Sequence, residues 1–162
     1  MILIDVPWCV ARKACHSLDW LRELLPQPCP LLGVLTRTDG PWATVSVHDR
    51  IWVGAQVLAI PFMVRVLSRL FDRGRAAGYQ PDPRSLAILS AFRAGRMPTV
   101  DERNAARSAA GEWLWKAEWI VARVSMETEE GNAAWIAARE SAGWYSDERQ
   151  AQLADLIDLL RE

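Results

Sequence analysis

Apolar positions recur at three- and four-residue spacing along most of this chain, which is the period of an amphipathic helix. Val10, Ala14, Leu18, Leu21 and Leu25 form the first stripe and predict a helix over residues 8–25. Pro26, Pro28 and Pro30 stop it, because proline lacks the donor a helix needs. A longer pattern covers residues 48–73 and opens on Ser46 and Asp49, which have capping-box spacing. Pro61 should kink that helix or split it in two, and Gly74 and Gly78 end it. Asp82 as N-cap and Pro83 as first helical residue begin another, which runs to about Ala94 before Gly95. Thr99 and Glu102 repeat the capping-box spacing ahead of a pattern over 100–126. Further helices are predicted over 131–143 and, capped by Ser146, over 147–161, with Leu153, Leu156, Ile157 and Leu160 as the last stripe.

Residues 31–47 fit this scheme least. The stretch 31–35 reads as a short helix or a strand, Asp39-Gly40-Pro41 reads as a turn, and residues 43–47 alternate weakly. A lone strand has no evident partner, so the segment is read as irregular, with one short strand left open. The fold class is therefore all-α: a bundle of six to seven helices joined by short loops. The length suits one helical domain over residues 1–162, divisible into sub-lobes 1–78 and 79–162.

Composition changes this picture in two ways. Hydrophobic residues make up 51% of the chain, which excludes a disordered protein, and the nine tryptophans imply a large core or an aromatic binding surface. The net charge of −1 hides an asymmetry. Residues 1–98 hold twelve basic and seven acidic side chains, whereas residues 99–162 hold seven basic and thirteen acidic. Either the two halves attract each other or the basic half faces an anionic partner. The apolar run over 51–64 falls short of the ~20 residues that span a bilayer, so no membrane role is expected.

Catalytic motifs do not emerge: there is no nucleophile elbow, phosphate loop or zinc-protease motif. Cys9, Cys15 and Cys29 form no CxxC pair, and His16 and His48 are the only histidines. The odd cysteine number and the short, acidic N-terminus suggest reduced thiols in a cytoplasm. Cys15 and His16 are adjacent, but on the predicted first helix they would point ~100° apart, against a thiol–imidazole pair. The expectation is a protein that binds rather than catalyses, with no cofactor and no metal.

Two features carry the binding expectation. Arg65, Arg69 and Arg73 recur every four residues and line one helix face, and Arg75, Arg84, Arg93 and Arg96 follow. This stripe is either paired with the acidic half or is a site for an anion, phosphate-bearing ligands above all. Nucleic acid is the weaker form, since the chain is not basic overall. The second feature is the helix after Thr99. Ala106, Ala110, Trp113, Ala117, Ile120, Val121 and Val124 make one apolar stripe; Trp115, Trp119 and Met126 lie nearly opposite, flanked by Glu112 and Arg123. A helix apolar on two sides is central in its bundle, gives one side to a partner, or pairs with a second copy as a homo-oligomer. Trp115 and Trp119 beside Arg123 suit a protein interface or stacking on a nucleobase.

The segment Ala14-Cys15-His16-Ser17-Leu18-Asp19-Trp20-Leu21 reads as AC-x-x-x-x-WL. Asp82-Pro83-Arg84 through Ala87, then Ala94-Gly95-Arg96-Met97-Pro98-Thr99 and Glu102, reads as DPR-x-x-A … AG-x-x-x-T-x-x-E. An Ala-rich stretch and Glu148-Arg149-Gln150 close the pattern. Together these resemble the Imm-5-like immunity proteins of bacteria and phages. The resemblance implies a small helical inhibitor that neutralises a protein target by stoichiometric binding in defence or counter-defence. Trp113, Trp115, Trp119, Trp135 and Trp144 interrupt the family's Ala runs. The alternative expectation is a phage-type sponge for a phosphorylated nucleotide signal, with Arg65, Arg69 and Arg73 on the phosphates and Trp115 or Trp119 on the base.

Overall fold

The helical periodicity resolves into more and shorter helices than it predicts. The structure is a computed structural model, and it describes residues 2–110 and 116–162. Among these residues there are ten α-helices: α1 (Val6–Ala11), α2 (Leu18–Leu24), α3 (Leu31–Thr36), α4 (Val47–Val57), α5 (Ala59–Ala76), α6 (Pro83–Arg93), α7 (Val100–Ala110), α8 (Lys116–Ser125), α9 (Glu130–Trp144) and α10 (Glu148–Leu159). Strands β1 (Leu3–Ile4) and β2 (Cys29–Pro30) pair antiparallel, and a 3₁₀ turn spans Gly40–Thr44. The all-α class holds, while the expected count of six to seven helices is too low.

Three predicted helices each divide in two. The predicted helix over 8–25 is two helices, because α1 closes on Lys13 in the left-handed region at φ 56°. The Lys13 N–H donates to the Val10 carbonyl and the Ala14 N–H to the Cys9 carbonyl, the bond pair of a Schellman ending. Residues 12–17 are therefore off any helix, and Ser17 caps α2 through the Trp20 N–H. The predicted helix over 48–73 is α4 and α5, bent by 119° at Leu58. Pro61 lies in the first turn of α5, where a missing N–H leaves no hydrogen bond unmade. The predicted helix over 100–126 is α7 and α8, which pack against each other. Glu112, Trp113 and Trp115 lie outside the described residues.

Other termini follow the sequence chemistry. Ser46 and Asp49 make a complete capping box, Thr99 and Glu102 bond reciprocally, and Asp82 caps α6. Gly78 and Gly95 close α5 and α6 at φ 82° and 70°. At α10 the N-cap is Asp147 rather than Ser146. Segment 31–47 holds α3, the 3₁₀ turn and the start of α4 rather than a strand; the strand β2 lies just before it and pairs with the N-terminal β1.

The buried cluster is continuous from Ile4 to Leu156 and so crosses both sub-lobes. Helix α9 lies at its centre, against α4, α5, α8 and α10. Its buried face is Ala133, Ala134, Ala137 and Ala138, each no more than 1% exposed, which lets neighbouring helices approach closely. Where α4 meets α10, a Cβ added to Gly54 would collide with a Leu156 methyl. Among the described residues no single helix is long and apolar enough to cross a membrane.

Candidate functional site

The arginine stripe lies on α5 and faces α10. Arg69 donates to both carboxylate oxygens of Glu148, at 2.7 Å and 3.1 Å, and to Asp155 at 2.6 Å. Arg73 bonds Asp147 at 2.9 Å and approaches Glu148 at 3.3 Å, while Arg65 pairs with Glu162. Glu148 is fully buried, so its carboxylate depends on these partners. Burial alone would lower the Arg69 pKa; its bonds to Glu148 and Asp155 outweigh that and raise it. The guanidinium forks are thus taken up by carboxylates of the chain's own acidic half.

On α8, Ala117, Ile120, Val121 and Val124 are buried as the stripe predicts, and Met126 is exposed. Trp119 is half-buried beneath Arg123, whose guanidinium carbon lies 5.1 Å from the ring centroid. Arg123 also reaches Glu140 of α9 at 3.9 Å. The arginine stripe and the Trp119–Arg123 pair therefore engage different elements, α10 and α9. The predicted companion of Trp119, Trp115, lies outside the described residues. Trp144 is exposed, with the Lys116 ammonium 4.2 Å from its ring centre.

A third place emerges that periodicity did not reveal. A cavity of about 290 Å³ lies among β1, α1, α2, α3, the 3₁₀ turn, α4 and α9. Trp20, Trp42, Trp52 and Trp135 line it, with Leu21, Leu24 and Val53 between them. Arg50 fixes one wall from behind. It is only 5% exposed, and it donates to the Val34 carbonyl at 2.6 Å and the Trp42 carbonyl at 2.9 Å. Burial pulls its pKa below the ordinary arginine value. His48 meets Trp135 edge-on, with centroids 4.5 Å apart.

The polar part of the lining is gathered at Cys15, His16 and Asp49. The thiol sulfur, a ring nitrogen and a carboxylate oxygen lie within 4.8 Å of one another. His16 Nε2 is 2.9 Å from Asp49 Oδ1, and its ring stacks on Trp20 with centroids 4.0 Å apart. Asp49 Oδ2 accepts from the Ser46 hydroxyl at 2.6 Å and the Ser46 N–H at 3.3 Å. Burial would raise the Asp49 pKa; the bonds from Ser46 and His16 prevail and hold it below the usual carboxylate value. Sulfur, imidazole and carboxylate are also the donor set of a borderline transition metal. Here the direct His16–Asp49 bond joins two donors to each other rather than to a common centre.

Cys15 and His16 come together because the chain between α1 and α2 is not helical, which removes the 100° separation expected of them. The turn depends on Lys13 adopting a conformation usually left to glycine, so nothing in the sequence marks it. Comparison with known proteins finds no matching family model, curated protein or solved structure.

Proposed function

We propose that this protein binds a small, flat, largely apolar molecule bearing one polar group, in the tryptophan-walled cavity. The observation that carries this is the cavity itself: about 290 Å³, aromatic on several sides, with a clustered thiol, imidazole and carboxylate. That is the small end of the ~300–1,000 Å³ range of ligand pockets, which are mostly apolar with a few converging polar groups. A bicyclic aromatic ring or a short acyl chain matches the volume. This moves the small-molecule reading away from the arginine stripe, whose cations already hold Glu148, Asp155, Asp147 and Glu162. It also takes precedence over the inhibitor role implied by the Imm-5-like resemblance. Trp135, one of the tryptophans that breaks that family's Ala-rich pattern, is part of the cavity wall.

The test is titration of the protein with indole, naphthol and butyrate, following tryptophan fluorescence and thermal unfolding. At least one should quench fluorescence and raise the melting temperature. Val53→Phe, which adds bulk to the cavity wall, should weaken that ligand by ~10-fold or more, about 1.4 kcal/mol. Unchanged fluorescence and melting temperature with all three ligands at millimolar concentration would refute the reading.

A further inference from the structure

We propose that Cys15 is a nucleophile for acyl transfer, acting on small esters or thioesters whose apolar acyl group occupies the tryptophan-walled cavity. The inference rests on the cavity being a ligand site. It adds what the polar cluster does to the ligand.

The geometry assigns the roles. An ionised carboxylate only accepts hydrogen bonds, so His16 carries its proton on Nε2, facing Asp49 Oδ1 at 2.9 Å. With that proton on Nε2, the lone pair of the imidazole is on Nδ1, the atom that can take a proton. Ring plane and carboxylate are both held: Trp20 stacks on His16, and Ser46 binds the second oxygen of Asp49. The thiol beside this imidazole belongs to the one exposed cysteine among the three. Cys9 lines the same cavity but is buried; burial, then the nearby Asp5, pushes its pKa up to about 11 against the pull of Arg12, so it stays a thiol at neutral pH. Cys29 is buried and directed at the Pro30 carbonyl, 3.5 Å away. The Cys15 sulfur lies within 4.8 Å of a ring nitrogen of His16; a nucleophile beside a base that a third group orients is the arrangement acyl transfer uses, with the thiol closing on the imidazole as the substrate enters.

In the first step the Cys15 sulfur attacks the acyl carbon while its proton passes to His16 Nδ1. The carbon–sulfur bond forms and the bond to the leaving oxygen or sulfur breaks. The leaving alcohol or thiol departs with the proton from His16, and a thioester remains on Cys15. Water then attacks that thioester, His16 takes its proton and returns it to the Cys15 sulfur, and a carboxylic acid is released. Asp49 is a positioning residue, since it acts only through His16.

The experiment uses the full chain and p-nitrophenyl butyrate, following p-nitrophenol release and mapping the butyryl group by mass spectrometry. The expected result is one butyryl group, on Cys15. Cys15→Ala abolishes it without loss of helicity. His16→Ala slows acylation by ~10²-fold, and added imidazole restores part of the rate, which a structural role would not allow. Asp49→Asn lowers kcat and leaves KM unchanged, while Val53→Phe raises KM. A butyryl group on Cys9 or Cys29 instead, no acylation of Cys15, or a His16→Ala variant that reacts at the parent rate would each overturn the proposal. If naphthol or indole binds but the ester is untouched, acyl transfer falls and the pocket reading stands. If Cys15 is acylated at the same rate in Val53→Phe, the assignment of the acyl group to the cavity falls.

Discussion

Arg50 brings a charge into the interior and meets it with two carbonyl oxygens rather than a carboxylate. Arg50→Met fills similar space but leaves the carbonyls of Val34 and Trp42 without that donor. Unfilled buried hydrogen-bonding groups cost ~1–3 kcal/mol each, so urea denaturation should show a loss of about 2–6 kcal/mol. The Trp42 wall should loosen with it, and affinity for the cavity ligand should fall in parallel. Glu102 makes a prediction of opposite visibility, at the surface. Its bonds to Arg96, and then to Thr99, lower its pKa to about 2. The unfolded value is near 4.5, so the folded state binds the proton less readily. This contribution is complete above pH ~4.5 and is lost as pH falls towards 2. Stability measured across that interval should decline less steeply in Glu102→Gln than in the parent protein. Thr99 and Glu102 were legible in the sequence because a capping box has fixed spacing. Arg50 was not, since seventeen arginines look alike until packing turns one inward.

Helix ends show the same division at the next scale. The α5 and α6 endings carry Gly78 and Gly95 in the left-handed position, as the sequence reads, although Gly74, read as part of the first stop, lies inside α5. The α1 ending has the same hydrogen bonds with Lys13 in that position, and periodicity runs straight through it to a false helix over 8–25. Pro61 marked the α4–α5 break, but proline is tolerated in a first turn, so the bend falls at Leu58 instead. The candidate site inherits this blind spot, since Cys15 and His16 lie in the segment the false helix swallowed. Packing between elements also gives a direct test at the α4–α10 crossing. Gly54→Ala would push a methyl group into Leu156, where something must shift. Overpacking of this kind costs ~1–3 kcal/mol. The melting temperature should fall accordingly, and Leu156→Val in the same chain should recover part of the loss.

Across the whole molecule, the charge asymmetry between the halves becomes one contact surface. The basic α5 and acidic α10 meet through Arg69, Glu148 and Asp155, which was one of the two readings the sequence left open. Removing one partner of a buried pair is costly because the other charge stays behind. Arg69→Met should therefore destabilise by about 3 kcal/mol, the lower end of the usual range because Arg73 still reaches Glu148 at 3.3 Å. Arg69→Met/Glu148→Leu should recover most of that loss in thermal denaturation. Ligand titration of the cavity should be the same in all three proteins, because the stripe and the cavity are built from different residues. The cavity itself was invisible in the sequence. Its lining comes from seven elements between Ile4 and Arg139, and no local period records which side chains meet there. The alanine face of α9 carries a consequence of its own. Those four small side chains set the distance from α9 to the helices around it, α4 among them, and α4 bears Asp49, Trp52 and Val53 of the cavity. They act as a spacer. A single methyl gained or lost at Ala133 or Ala137 should therefore resize the chamber from behind its walls, changing its volume while every residue that lines it stays the same.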